Sequence, residues 1–274
     1  MSLNGGPLLG KQGRTSNVDL PRDARFFDCR GSGSYTTFVR ATTDTADRSA
    51  SVSVWFVPLA AEIAEATWFR KLSATERARA DGFRVEADRR RFVLSHAALR
   101  ALLGQVLGTE ASAIQFATTR YGKPELARPF SHADVSFNLS HCDDLAVVAI
   151  ARGQPVGVDV ECLRYIPDCL AVARIAFSTR ELQDLTDGAA PQRSRRFMFY
   201  WTRKEALIKA MGDGLSDHLP DIDTFTTRAP TEPLQLRLRN QTWTVQSLDI
   251  WNRDVAAVAV RAGAIEIQRS IWNW

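Results

Sequence analysis

The sequence is poor in the residues that carry thiol and imidazole chemistry, with 4 cysteines and 4 histidines in 274 residues. Cys29, Cys142, Cys162 and Cys169 form no C-x-x-C pair and no metal-finger spacing. That excludes zinc-ribbon and thioredoxin-like motifs and predicts reduced, mostly structural thiols. No apolar run approaches the ~20 residues of a membrane-spanning helix. The stretch SVSVWFVPLAA at 51–61 is too short, and residues 1–20 lack a basic segment followed by an apolar one. A cytoplasmic protein without a membrane part is therefore expected. A nucleic-acid-binding motif is also missing, and the aromatics do not interleave with a basic stripe, so no nucleic-acid partner is expected.

What is present is an ordinary globular composition, 45% hydrophobic with a net charge of +4, enough to bury a large core and to attract acidic partners mildly. Residues 1–50, rich in Gly, Ser, Thr, Asp and Arg, read as an N-terminal extension with little periodicity. A hydrophobic strand follows over 51–57, stopped by Pro58. Ser73-x-x-Glu76 has the form of a capping box and predicts a helix start. A second helix is predicted over about 87–107 from the spacing of Phe92, Leu99, Leu102, Leu103 and Val106. The same pair of signals recurs, with Ser178-x-x-Glu181 for Ser73-x-x-Glu76 and Arg195-Arg196-Phe197 for Arg90-Arg91-Phe92, both at an offset of 105 residues. The offset predicts two similar α/β halves, 51–155 and 156–274, related by a pseudo-two-fold axis with a cleft between them. Each half is a small sheet packed on a long helix. Further strands are expected at 113–118, 134–138, 145–151, 242–250 and 254–260.

The offset sets Val54 and Phe56 against Asp159 and Glu161, so only the second half carries charge on its first strand. In that strand, VGVDVE at 156–161, alternation points Asp159 and Glu161 one way and Val158 and Val160 into a core. Some forty residues on, FYWTRKEALIKAMGDGL at 199–215 reads as a helix with Trp201, Glu205 and Lys209 along one face, stopped by Gly212 and Gly214. Three carboxylates without a Cys or His pair describe a hard-cation site, and Mg²⁺ prefers a few carboxylates plus substrate phosphates. The predicted substrate carries phosphate.

These two segments, Gly157-Val158-Asp159-Val160-Glu161 and Trp201 through Leu215, resemble the Sfp-type 4′-phosphopantetheinyl transferases, whose signatures are G-V/I-D-x-E and W-x-x-K-E-A/S-x-x-K-A-x-G-x-G-L. Tyr121-Gly122-Lys123-Pro124 is similar to the family's G-K/R-P loop, and Phe137-Asn138-Leu139-Ser140-His141 to its F-N-L/I-S-H motif. The resemblance implies a coenzyme A cleft between the halves, with Lys123 near the adenosine and Ser140 and His141 on cofactor phosphate. It places Arg91, and next Arg79, beside the 3′-phosphate, for which a guanidinium fork is suited. Cys142-Asp143 departs from the small residues usual after the histidine.

The implied reaction transfers 4′-phosphopantetheine from coenzyme A to a serine of an apo acyl or peptidyl carrier protein of fatty-acid, polyketide or nonribosomal-peptide assembly, releasing 3′,5′-ADP. Asp159, Glu161 and Glu205 are the implied Mg²⁺ ligands, Glu205 is also the implied base for the serine proton, and Lys209 the cation for the pyrophosphate. Sequence does not choose between the two roles of Glu205. Both halves lie in one chain, so a monomer is expected. The rival reading is a non-catalytic coenzyme A or nucleotide binder with a regulatory role. Retention of Asp159, Glu161, Glu205 and Lys209 favours an enzyme. Trp201 and Lys204 are read as structural.

Overall fold

The computed structural model describes residues 35–37, 49–60, 63–212, 219–250 and 254–274. The expected extension at 1–50 therefore lies almost wholly outside the described residues, as does the segment from Asp213 to Leu215 that closes the helix signature. Residues 34–274 form one compact unit. Its elements run β1 (Tyr35–Thr37), β2 (Ser49–Pro58), α1 (Glu65–Phe69), α2 (Ala74–Asp81), α3 (Glu86–Leu107), β3 (Phe116–Thr118), β4 (Pro124–Leu126), β5 (Val135–Cys142), β6 (Leu145–Arg152) and β7 (Val156–Cys162). They continue with α4 (Cys169–Ala176), α5 (Thr179–Asp187), α6 (Ala190–Met211), β8 (Leu234–Leu238), β9 (Gln241–Leu248), β10 (Asp254–Val260) and β11 (Ala264–Ile271).

Two sheets lie face to face. One has strand order β1-β11-β2-β6-β5, the other β7-β10-β9-β8. Strand alternation decides the layers. In β2, Val52, Val54 and Phe56 point into a core shared with Val156, Val158 and Val160 of β7 and Val258 and Val260 of β10. The opposite face of the first sheet, with Val57, Val148, Ile150 and Phe137, packs on Leu94, Leu99, Leu102 and Leu103 of α3. The opposite face of the second sheet, with Val245, Ala257 and Ala259, packs on Ala206, Leu207 and Ala210 of α6. The result is a helix, two sheets and a second helix in layers, two similar α/β halves as the repeat predicts.

The repeat is local as well. Both capping boxes form, Ser73 with Glu76 and Ser178 with Glu181. The two long helices are each 22 residues and each stops at a left-handed glycine, Gly108 and Gly212. At φ +65° and +76° these positions favour glycine, which carries no Cβ to crowd the preceding turn. One strand crosses between the halves: β11 runs parallel to β2, pairing Ile265 with Ala50 through Ile271 with Phe56, in the first half's sheet. Beyond it Trp272 and Trp274 meet Trp68 edge to face at 6.0 and 4.9 Å, fastening the C-terminal residues beside α1.

Candidate active site

The site lies where the free edges of the two sheets meet. β5 is the last strand of one sheet and β7 the first of the other. An edge strand presents N–H groups with no ladder partner. Here side chains of β5 take their place. The N–H of Val158 donates to Asn138 Oδ1 at 2.8 Å, that of Val160 to Ser140 Oγ at 3.4 Å, and that of Cys162 to Cys142 Sγ at 3.0 Å. Three side chains two residues apart thus zip one sheet to the other.

On the other face of β7 stand Gly157, Asp159 and Glu161, against α6. A Cβ on Gly157 would come within 2.2 Å of the Ala206 carbonyl oxygen and 2.3 Å of the Ala210 nitrogen, so glycine lets helix and strand touch. That contact lays Glu205 and Lys209, one turn apart, over the strand's carboxylates. Lys209 Nζ donates to Asp159 Oδ1 at 2.5 Å and to Ser140 Oγ at 3.2 Å, and Ser140 Oγ donates to the same Asp159 oxygen at 3.0 Å. Asp159, Glu161 and Glu205 are all buried, with exposures of 1%, 2% and 3%. The Asp159 Oδ2 and Glu205 Oε1 atoms are buried without a hydrogen-bond partner. Burial, then the nearby Asp159 carboxylate, pushes Glu161 up to about 7, and the same two causes raise Glu205.

This arrangement can hold a cation. Two orphaned hard oxygens and a third carboxylate whose charge is disfavoured by its neighbours are donors suited to Mg²⁺. The three carboxylates do not crowd their oxygens together. Among the described residues, the group of potential ligands lying within 4.8 Å of one another is Cys142, Asp143 and Cys162. Lys209 neutralises Asp159.

Alternation puts Asn138 and Ser140 of the F-N-L-S-H motif on one face of β5 and His141 on the other. Ser140 faces β7, whereas Leu139, two residues before His141 and so on its face of the strand, belongs to the apolar layer beneath α3. His141 accordingly feels both Lys209 and Arg91. Burial first, then these two cations, lowers its pKa, so the imidazole is held neutral. Arg91 is half-buried, with Nη1 donating to Asp88 Oδ1 at 3.2 Å and Nε 3.5 Å from Asp144 Oδ1. Arg79 instead spreads its guanidinium 4.9 Å over the Phe92 ring. Lys123 also stands apart from the carboxylates: Nζ donates to the Val156 and Ala210 carbonyls, both at 3.2 Å. Burial lowers it to about 8. It lines a cavity of about 430 Å³ with Pro124, Phe137, Met211 and Gly212.

The expectation of reduced thiols is overturned for one pair. Cys142 and Cys162 are joined as a disulfide, their Cα atoms 5.9 Å apart. The seam between β5 and β7 is the cause, since it sets the two residues opposite each other at a separation a disulfide can span. Cys169 is free and buried, and Cys29 lies outside the described residues.

Trp201 packs beneath the site, stacked on Phe197. Lys204 is buried, donating to the carbonyls of Leu219 and Ile222 and pairing with Glu181 Oε2 at 2.9 Å. Glu181 Oε1 accepts from the Thr224 N–H and hydroxyl at 2.7 and 2.6 Å, so the cap of α5 also anchors Lys204. Sequence reasoning missed Asn138 and this use of Glu181. The first sat within a quoted motif, and the second had a capping role that hid a further one.

Comparison with known proteins agrees with this geometry. Residues 155–260 match the 4′-phosphopantetheinyl transferase superfamily, and residues 56–153 match the N-terminal region of 4′-phosphopantetheinyl transferases. The chain is 38% identical over 189 residues to 4′-phosphopantetheinyl transferase HetI of Nostoc sp., covering 69% of this chain and 78% of that protein. It is 36% identical over 158 residues to 4′-phosphopantetheinyl transferase psf-1 of Bacillus pumilus, covering 57% and 64%. With 4′-phosphopantetheinyl transferase Sfp of Bacillus subtilis it shares 31% over 157 residues, covering 57% and 66%. Two halves zipped at an acidic seam and matching in order the two parts of one enzyme family leave one assignment: the chain belongs to the 4′-phosphopantetheinyl transferases.

Proposed function

We propose that the chain transfers 4′-phosphopantetheine from coenzyme A to a serine hydroxyl of an apo acyl or peptidyl carrier protein, with Mg²⁺, acting as a cytoplasmic monomer. The observation that carries the reading is the buried cluster at the seam, where Asp159 Oδ2 and Glu205 Oε1 lack partners beside the Lys209 ammonium. Buried orphan oxygens of this kind are costly unless a ligand completes them.

In the reaction the serine oxygen attacks the phosphorus on the pantetheine side of the coenzyme A pyrophosphate. A new P–O bond forms, the bond to the bridging oxygen breaks, and 3′,5′-ADP leaves. Asp159, Glu161 and Glu205 are the residues that would hold Mg²⁺, which supplies charge stabilisation to the pyrophosphate. Lys209, already at Asp159 and Ser140, turns its ammonium to the pyrophosphate and adds positive charge where negative charge develops. Glu205 accepts the serine proton, a general-base contribution on the order of 10²–10⁴. Ser140, whose hydroxyl donates to Asp159 in the free protein, turns it to phosphate when coenzyme A binds. His141, Arg91 and the more remote Arg79 attend the 3′-phosphate, the neutral imidazole by donating one N–H. Lys123 and the cavity it lines take the adenosine. On this reading 51–155 supplies cofactor contacts and 156–274 the metal and the base, with 1–50 an extension.

The test is intact mass of an apo carrier protein after incubation with the chain, coenzyme A and Mg²⁺. A gain of one phosphopantetheine, lost with Glu205→Gln or with chelator, supports the reading. No gain on several fatty-acid and peptide-synthetase carriers overturns it.

A further inference from the structure

The motif Phe137-Asn138-Leu139-Ser140-His141 has one polar residue with no part in the reaction as described. We propose that Asn138 is a positioning residue for transfer: its amide oxygen fixes where β7 sits against β5 and thereby holds Asp159 on Ser140 and Lys209. The proposal rests on the transferase reading for its metal and kinetic arms, and not for its amide-exchange arm.

Asn138 is buried at 6% exposure, and its Oδ1 accepts the Val158 N–H at 2.8 Å, the shortest of the three rungs across the seam. Val158 is fully buried, so water does not compete for that N–H. It is also the residue before Asp159, on the strand's other face. On its opposite edge β7 is fixed by the ladder to β10, which pairs Val158 with Val258 and Asp159 with Ala257. The β10 ladder sets the strand within its own sheet but says nothing of its distance from β5. That distance is set by side chains alone.

Of the three rungs, Ser140 is committed to Asp159 and Lys209, its bond to the Val160 N–H being long at 3.4 Å. Cys142 ties the far end of the strand to Cys162 through the disulfide, three residues beyond Asp159, and leaves the stretch before Asp159 to the remaining rung. Asn138 is therefore the rung that acts on β7 beside Asp159 without also touching the reacting groups. Removing its oxygen leaves a buried N–H without a partner, and the strand edge relaxes away from β5 to relieve it. The 3.0 Å contact between Ser140 and Asp159 opens with that movement. The neighbouring side chains of a metal site commonly change affinity or activity 10–100-fold when removed.

The test compares wild type, Asn138→Ala and Asn138→Ser in the full chain, with Ser178→Ala as a control that removes the cap of α5. Serine keeps an acceptor oxygen at nearly the volume of alanine, so the pair isolates the hydrogen bond. Three readouts are taken: amide exchange at Val158, Mn²⁺ titration without coenzyme A, and kcat with KM for coenzyme A. In wild type the Val158 amide exchanges slowly although β7 is an edge strand. Asn138→Ala loses that protection, weakens Mn²⁺ about tenfold and lowers kcat about tenfold, with KM within twofold, and Asn138→Ser recovers most of each. Ser178→Ala loses thermal stability without moving Mn²⁺ affinity. A Val158 amide that exchanges fast in wild type overturns the proposal. So does Asn138→Ala with wild-type Mn²⁺ affinity and kcat, or with losses that merely follow its melting temperature as the control's do. Amide exchange needs neither metal nor substrate, so it decides the rung even if the carrier assay fails.

Discussion

Glu161 makes the apo protein's stability depend on pH in a direction opposite to ordinary acid denaturation. Its carboxyl is buried at 2% exposure and titrates at about 7 instead of 4.5, through burial and then the Asp159 charge. Between those values the folded chain keeps a proton that the unfolded chain has released. More protons are bound folded than unfolded, so unfolding free energy falls as pH rises. The contribution is present below pH 4.5 and is gone above about 7. At 1.36 kcal/mol per pKa unit the loss amounts to about 3 kcal/mol. Glu205, raised by the same causes, adds to it in the same sense. Urea unfolding with chelator at pH 5.5 and pH 8 should capture about 2 kcal/mol of it, the part lost above pH 5.5. Glu161→Gln should remove most of it and raise stability at pH 8, whereas saturating Mg²⁺ should restore wild type at pH 8. A slope undiminished in Glu161→Gln would refute the assignment of the buried charge to this residue.

Three further outcomes are expected. Gly157→Ala forces a Cβ to within 2.2 Å of the Ala206 carbonyl oxygen. The overpacking should cost about 1–3 kcal/mol in urea melts and lower kcat more than KM, because α6 carries Glu205 and Lys209. Lys204→Met leaves Glu181 buried without its cation at 2.9 Å, and should cost about 3–5 kcal/mol of unfolding free energy while Mn²⁺ affinity in the folded protein stays within twofold. The Cys142–Cys162 bridge closes a separation of 20 residues, so peptide mapping without reductant should recover the linked pair, and reduction should lower stability by about 3 kcal/mol.

Much of the second half was readable because its signals are local. Alternation in 156–161 and the 3.6-residue period of 199–211 each specify a face without reference to other elements, and the Ser-x-x-Glu pairs mark helix starts by a bond three residues long. The cause of each is short-range. By contrast β11 was not foreseen, since Ala264–Ile271 gains its place by parallel pairing with β2, more than two hundred residues earlier in the chain. No pattern within eight residues specifies a partner at that distance. The Trp272 and Trp274 cluster follows from the same pairing. The disulfide was unreadable for a related reason: Cys142 and Cys162 carry no motif, and only the register of β5 against β7 sets them opposite each other.

For the site, the distinction between face and register decides what sequence can say. The face of Asp159 and Glu161 follows from parity, so their shared direction was readable, and so was the helix face of Glu205 and Lys209. Whether those faces meet depends on Gly157, whose missing side chain lets α6 rest on β7, and on side-chain rungs from Asn138 and Ser140. A glycine in a strand motif and an asparagine beside a serine look like ordinary residues until the opposing backbone is in view. Lys123 shows the converse. The resemblance of its Gly-Lys-Pro loop implied a contact with the adenosine, whereas the donation of its ammonium to the first carbonyl of β7 and to one near the end of α6 shows only in the folded backbone. The residues that carry charge could be named from sequence, whereas those that bring the charges together act through the backbone, where sequence alone has no register to offer.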